Sequence, residues 1–268
     1  MSWLMVLGSL HLLLFIFALL FILPRTTWKT PLVEYNKILR YHLPFLGIVI
    51  FVVIIHLFEV NFIDAYITSL LGFDATPTIQ LLEDGAVQWF SSQWTPLLLY
   101  FFVFIYIGLY PFLLWFSLLY FILVNEKKAM KSFTYAFIAI YAIALPFYLF
   151  VPITNVYTYY GGKSALNAVI PTVEQFFYAT TTNNNCLPSL HVALSLLIAW
   201  SVSLTKNKRL IAIAYFCVVC VICAVIYLTI HWITDVIAGV LLAFGVFYLI
   251  KRFHIGDIHD SGIQPHRD

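Results

Sequence analysis

The chain has 268 residues, 63% of them hydrophobic and 10% charged, with a formal net charge of +2. Soluble domains carry roughly 25% charged residues, so the composition excludes a soluble globular domain, and the small net charge gives no footing for nucleic-acid binding. Four cysteines in such a length exclude a disulfide framework.

A helical span needs about 20 apolar residues. Seven stretches qualify, at residues 3–23, 43–59, 96–124, 133–151, 189–204, 210–229 and 231–250. The first is uniformly apolar and has no small-residue cleavage site after it, so it reads as a span rather than a signal peptide. His11 and His56 fall inside the first two spans, where an interhelical hydrogen bond is expected for each. His42 is expected to be solvated at an interface. Between the second and third spans, residues 61–95 carry Asp64, Asp74, Glu83 and Asp84 with Trp89 and Trp94. They read as one or two short interfacial helices, with the tryptophans at headgroup level. A second long connection, 152–187, is punctuated by Pro152, Gly161, Gly162 and Pro171. Cys217, Cys220 and Cys223 recur at three-residue spacing, which implies packing on one helix face. The polar end, 251–268, reads as a tail.

The basic residues order these spans. Arg25, Lys29, Lys37 and Arg40 follow the first, Lys127, Lys128 and Lys131 the third, and Lys206, Lys208 and Arg209 the fifth. Lys251, Arg252 and Arg267 lie in the tail. With seven spans all four groups fall on one side, which the positive-inside rule makes cytoplasmic. The N-terminus is then outside, the tail is cytoplasmic, and Lys163 is the one basic residue on the outer side. The expectation is an all-α integral membrane protein of the cell membrane, with residues 1–250 as one catalytic domain and 251–268 as its tail.

Three outer pieces carry chemistry. Pro188-Ser189-Leu190-His191 opens the fifth span, His231-Trp232-Ile233-Thr234-Asp235 opens the seventh, and Lys163 lies in the loop. His231 and Asp235, four apart, would share a helix face. The carboxylate then fixes the His231 tautomer and leaves its other nitrogen as a nucleophile. His191, from a different helix, can protonate a leaving oxygen. Ser189 and the amides at its helix start suit an oxyanion, or Ser189 is an N-cap. Together these residues suit phosphoryl transfer through a phosphohistidine, with neither metal nor cofactor. A metal site on His191, His231 and Asp235, with Cys186 near, is the rival reading of the same residues.

The pattern resembles the type 2 phosphatidic acid phosphatase superfamily. Its second motif, Pro-Ser-Gly-His, is matched by Pro188, Ser189 and His191 with Leu190 in place of glycine, and Pro-Ser-Leu-His is similar to the branch that includes inositol phosphorylceramide synthases. The third motif is matched by His231 and Asp235, with Ala224 and Val225 at the Ser-Arg positions. The first is matched by Lys163 and Pro171, with Ile170 where the family has arginine. The resemblance implies a six-helix core over 43–250 plus an extra N-terminal span at 3–23. It also implies a lipid phosphatase or phosphotransferase acting on a phospholipid or isoprenoid phosphate. Without the arginines, Asn183, Asn184, Asn185 and Thr180–Thr182 are expected to act as neutral phosphate donors. The alternatives from other classes are a non-catalytic lipid-binding or transport protein, and an intramembrane serine protease, which Ser189 without flanking glycines does not fit. Transporters place polar groups near the midplane and use inverted repeats; neither is visible here.

Overall fold

The computed structural model describes residues 3–93, 95–170, 173 and 180–255, apart from the side chain of Leu32. Trp94, Pro171 and most of the tail lie outside the described residues. Regular structure among the described residues is helical, with one isolated bridge between Ile153 and Asn185.

Helix α1, Trp3–Phe21, ends three residues before Pro24. Helix α2, Leu32–Phe58, starts after Pro31 and accommodates Pro44. It passes through a π-helical turn, Glu59–Ile63, into α3, Asp64–Leu71. The second span therefore runs on well past residue 59, and no interfacial helix begins at 61. The reason is local: no glycine or proline lies between Gly47 and Gly72, and Gly72 ends the helix in the left-handed conformation (φ 64). Two short helices follow, α4, Thr76–Glu83, and α5, Ala86–Ser92.

Helix α6, Pro96–Val103, is capped by the Thr95 side chain, which accepts from the Leu98 amide. A second π-helical turn, Phe104–Leu109, joins it to α7, Tyr110–Leu123. Helix α8, Lys127–Phe150, follows a tight turn. Two one-turn helices, α9, Val156–Tyr159, and α10, Leu166–Val169, interrupt the next connection. Helices α11, Leu190–Ser203, α12, Lys208–Tyr227, and α13, Ile233–Arg252, complete the bundle.

Six helical stretches are long and apolar enough to cross a membrane, and α11 is a shorter apolar helix of 14 residues. At 1.5 Å per residue α11 covers about 21 Å, against a hydrocarbon layer of about 30 Å. The fifth expected span is therefore a helix that must begin or end inside the apolar layer. It is the centre of the bundle: Val192, Ala193, Leu197, Ile198, Ala199 and Val202 are buried, and it packs on α8, α12 and α13. Helix α1 is peripheral, with only Ala18 buried. It touches the π-turn at Gly108, where a Cβ would lie 2.7 Å from Leu10 Cδ2.

Polar residues of the spans have definite partners. Trp115 Nε1 donates to His11 Nδ1 at 3.4 Å, an interhelical bond. His42 is fully buried rather than solvated, and its Nε2 pairs with Asn125 Oδ1 at 3.2 Å. Burial follows from the length of α2, which carries His42 a full turn inside the helix. Cys217 and Cys220 are buried and Cys223 is half-buried, all as free thiols.

Helix α13 meets the start of α11 through Gly239. A Cβ there would fall 2.6 Å from the Ser189 carbonyl oxygen, whereas one at Gly245 would meet nothing within 4 Å. Gly239→Ala is expected to destabilise the bundle by roughly 1–3 kcal/mol, as overpacking does. Gly245→Ala serves as the neutral control. Thermal unfolding in detergent checks both; equal midpoints would remove Gly239 from its role in holding α11.

Candidate active site

The turn before α13 is built by the end of α12. Thr229 adopts a left-handed conformation (φ 56), unusual for a β-branched residue. The Ile230 and His231 amides both return to the Val225 carbonyl, at 3.0 and 3.1 Å. His231 is thus held just ahead of α13, which begins at Ile233, and not on its face. Asp235, in the first turn, reaches back instead. Its Oδ2 accepts from the Trp232 amide at 2.9 Å and faces His231 Nδ1 at 3.3 Å. The expected pairing therefore holds through a helix cap, a different geometry from the shared face. Asp235 is completely buried and His231 is 4% exposed.

Helix α11 supplies the second histidine. Ser189 is its N-cap, with Oγ accepting from the Val192 amide at 3.5 Å. The Ser189 amide donates to the Asp235 carbonyl at 3.0 Å, so the two motifs are joined backbone to backbone. His191 Nδ1 then faces His231 Nε2 at 3.4 Å. On its other side His191 Nε2 meets the Tyr106 hydroxyl at 2.9 Å. Tyr106, in the π-turn Phe104–Leu109, is 3% exposed and its ring lies against His191 at 4.7 Å. No motif pointed to Tyr106. Its only trace in the sequence is a polar-tipped aromatic within a span.

The protons of this chain can be assigned from one end. A carboxylate only accepts, so His231 Nδ1 carries the hydrogen toward Asp235. His231 Nε2 is then a bare lone pair, and His191 Nδ1–H must donate to it. His191 Nε2 is bare in turn, and Tyr106 O–H donates to it. The arrangement sets a bare nitrogen of His231 beside an N–H of His191, 3.4 Å apart.

The remaining predicted residues are placed differently. Lys163 is exposed, and among the described residues it makes no ion pair. Asn185 Nδ2 donates to Glu59 Oε1 at 3.1 Å. Asn184 Nδ2 donates to Thr68 Oγ1 at 2.8 Å, and Asn183 Oδ1 accepts from Asn155 Nδ2 at 3.0 Å. The three asparagines thus tie the loop to α2, α3 and the α9 region. Ile170 and Val225, at the family's arginine positions, and Ala224, at its serine position, are buried. Glu83 is a further contributor that sequence reasoning missed. Its carboxylate takes the Ile233 amide at 3.0 Å and the Thr234 amide at 2.7 Å, capping α13 from α4.

Cys186, His231 and Asp235 offer ligand atoms within 4.8 Å of one another. Burial, with Asp235 and Asp74 nearby, pushes the Cys186 thiol well up. The thiol donates weakly to the Asn183 and Ile230 carbonyls, each at 3.8 Å, bonds that it would lose as a metal-bound thiolate.

A family model of the PAP2 superfamily matches residues 68–249. The chain belongs to the PAP2 superfamily. No curated protein and no solved structure matches it. The matched residues run from within α3 to α13 and leave both α1 and α2 outside. PAP2 members are generally phosphatases, and the juxtaposed nucleophile and acid suit that chemistry.

Tyr106→Phe removes the last donor of the chain and leaves a buried nitrogen unpaired, which costs about 1–3 kcal/mol. The His191 tautomer also loses the bias that Tyr106 adds to that from His231. The expected result is a lower melting midpoint, together with nitrogen shifts showing both His191 tautomers. A single Nδ1–H tautomer persisting in the variant would show that Tyr106 does not set it.

Proposed function

We propose that the protein is a membrane lipid phosphatase or phosphotransferase that cleaves a lipid phosphate ester through a phosphohistidine at the outer membrane face. The observation that carries this reading is the continuous chain from Asp235 through His231 and His191 to Tyr106. His231 Nε2 attacks phosphorus while Asp235 holds the opposite nitrogen. His191, entering the step with both ring nitrogens protonated, gives its Nδ1 proton to the departing oxygen and later takes one back from the incoming water or alcohol. Reacting atoms approach to about 3–3.5 Å before reaction, so rings already 3.4 Å apart must part to admit the phosphate. Ser189, with its hydroxyl hydrogen free, and Lys163, swinging in from the loop, bind phosphate oxygens in this reading. Asn185 acts through its neighbours, since its amide is committed to Glu59.

Transfer to an alcohol, as in the inositol phosphorylceramide synthase branch, is favoured by the Pro-Ser-Leu-His variant and by the lack of a dianion clamp. Residues 1–250 form the catalytic unit in this reading, with the tail from residue 251 cytoplasmic and the N-terminus outside. The orientation rests on the basic residues, which the sequence gathers after the first, third and fifth spans and in the tail, with Lys163 apart. A single cysteine placed in the tail should resist an impermeant thiol reagent in intact cells and react after permeabilisation. Labelling in intact cells would reverse the topology.

The variants separate the roles. His231→Ala should abolish turnover and an acid-labile phosphoenzyme. His191→Ala should slow release of an alkyl leaving group by orders of magnitude, yet spare the first step with an aryl phosphate. Asp235→Asn should lower the rate by roughly 10⁴, as a mis-set tautomer does in a hydrolytic triad. Chelators should leave all of this activity in place. Near wild-type turnover by His231→Ala in a phosphate-release assay would overturn the phosphohistidine scheme.

A further inference from the structure

Two buried carboxylates beside the histidines have no part in the phosphoryl-transfer chemistry of His231 and His191. Glu59 opens the π-turn of α2 and is 1% exposed; Asp64 follows about one turn later and is 3% exposed. Ionisable groups inside an apolar bundle are costly and are kept for function, and π-turns recur at functional sites. The two lie close enough for their charges to interact.

The cluster has too few donors. Glu59 receives Asn185 Nδ2 at 3.1 Å and the Tyr141 hydroxyl at 3.5 Å. His56 Nδ1 lies 3.5 Å from its other oxygen. The His56 Nε2 contact with the Thr180 carbonyl, at 3.1 Å, requires that nitrogen to donate. His56 can therefore offset at most one of the two carboxylates. Asn185 is 9% exposed, and its carbonyl Oδ1 is buried without a partner, as is Asp64 Oδ1. Asn185 cannot be turned the other way, because a carboxylate only accepts. Two buried acceptors, Asn185 Oδ1 and Asp64 Oδ1, thus stand without a donor beside a second buried carboxylate.

The cluster adjoins the reacting residues. His56 and His191 are near enough for their charges to interact. Tyr148, which donates to the Pro188 carbonyl at 2.6 Å, feels the charges of both Glu59 and Asp235. The same end of the bundle carries Asp74, Glu83 and Asp84 against Lys163 alone among its described cations. A dianionic phosphomonoester is ill matched to such a field, and a zwitterion is well matched.

We propose that Glu59, Asp64 and Asn185 form a headgroup subsite for an ammonium group, making the substrate a zwitterionic phosphodiester lipid such as phosphatidylethanolamine. This deepens the lipid phosphatase reading and rests on it. His231 Nε2 forms the bond to phosphorus, the bond from phosphorus to the diacylglycerol oxygen breaks, and that oxygen takes the His191 proton. The phospho-headgroup stays on His231 with its ammonium in the subsite. Water then gives a proton to His191 and its oxygen to phosphorus, the bond from phosphorus to His231 Nε2 breaks, and phosphoethanolamine leaves with His231 restored.

The experiment compares purified full-length protein on phosphatidylethanolamine, phosphatidylglycerol and an aryl phosphate. The expected kcat/KM for phosphatidylethanolamine exceeds that for phosphatidylglycerol by about tenfold or more, the scale of one desolvated charge pair. Glu59→Gln and Asp64→Asn should each shrink that ratio toward one. Equal rates on the two lipids in the wild type would overturn the subsite while aryl phosphate turnover still upheld the enzyme. Loss of turnover on every substrate would sink the enzyme reading instead. Lipid retention by His231→Ala in native mass spectrometry would then decide the subsite: preferential retention of phosphatidylethanolamine supports it, and equal retention overturns it. Thermal shift with ethanolamine, potassium or magnesium salts separates the sources of positive charge. Stabilisation by a metal ion alone would make this a metal site and overturn the ammonium assignment.

Discussion

A carboxylate with no exposure to solvent, Asp235, organises the catalytic end of this bundle. In an apolar interior an ionised group must find donors or destabilise the fold. Asp235 finds them in the Trp232 amide and His231, which caps α13 and aims a histidine in one step. Its own carbonyl accepts the Ser189 amide, which sets the start of α11. The two motifs, some forty residues apart, are thus registered through one residue. Gly239, a turn further along α13, is the steric counterpart, because any larger residue would push the Ser189 carbonyl away.

Around this point the remaining polar groups form a hierarchy of supports. Glu83 holds the first amides of α13 from outside. Asp74 binds the Thr76 amide and hydroxyl and takes the Thr154 hydroxyl at 2.9 Å, while the Thr154 carbonyl accepts from Trp232 Nε1 at 2.8 Å. A small apolar cluster of Ile79, Val87, Ile153, Val156, Cys186 and Trp232 seals these bonds from water, which strengthens each of them. The cap over the bundle is therefore coupled to the turn that carries His231. Both π-turns lie at this end, one presenting Tyr106 and the other Glu59. A π-turn admits an extra residue and rotates the helix beyond it, which lets long apolar helices direct single polar side chains inward.

The electrostatics of the site differ from those of a phosphate clamp built on arginines. Where the superfamily pattern has arginines, this chain has Ile170 and Val225, both buried. The neutral asparagines that sequence reasoning offered as substitutes are engaged in holding the scaffold. Buried carboxylates at this end of the bundle suit a phosphate whose charge is already balanced within the substrate.

Much was legible in the sequence. Apolar runs of membrane length, the clustering of lysine and arginine, and the His231, Asp235 and His191 constellation all depend on composition and short spacings, which hydrophobic burial and local hydrogen bonding translate directly into helices and a cap. What eluded it were partners set by distance in space. Tyr106 lies 85 residues from His191 and Glu83 lies 150 from Ile233, and no local periodicity encodes such pairs. The continuation of α2 past residue 59 was also missed, because Glu59, Asn61 and Asp64 look like a polar interfacial segment until buried partners for them are known. The fate of Asn185 shows the same limit: its amide can serve a phosphate or a carboxylate equally well. Only the packing of α2 against the loop before α11 decided for Glu59, because a buried carboxylate gains more from that donor than solvent would return.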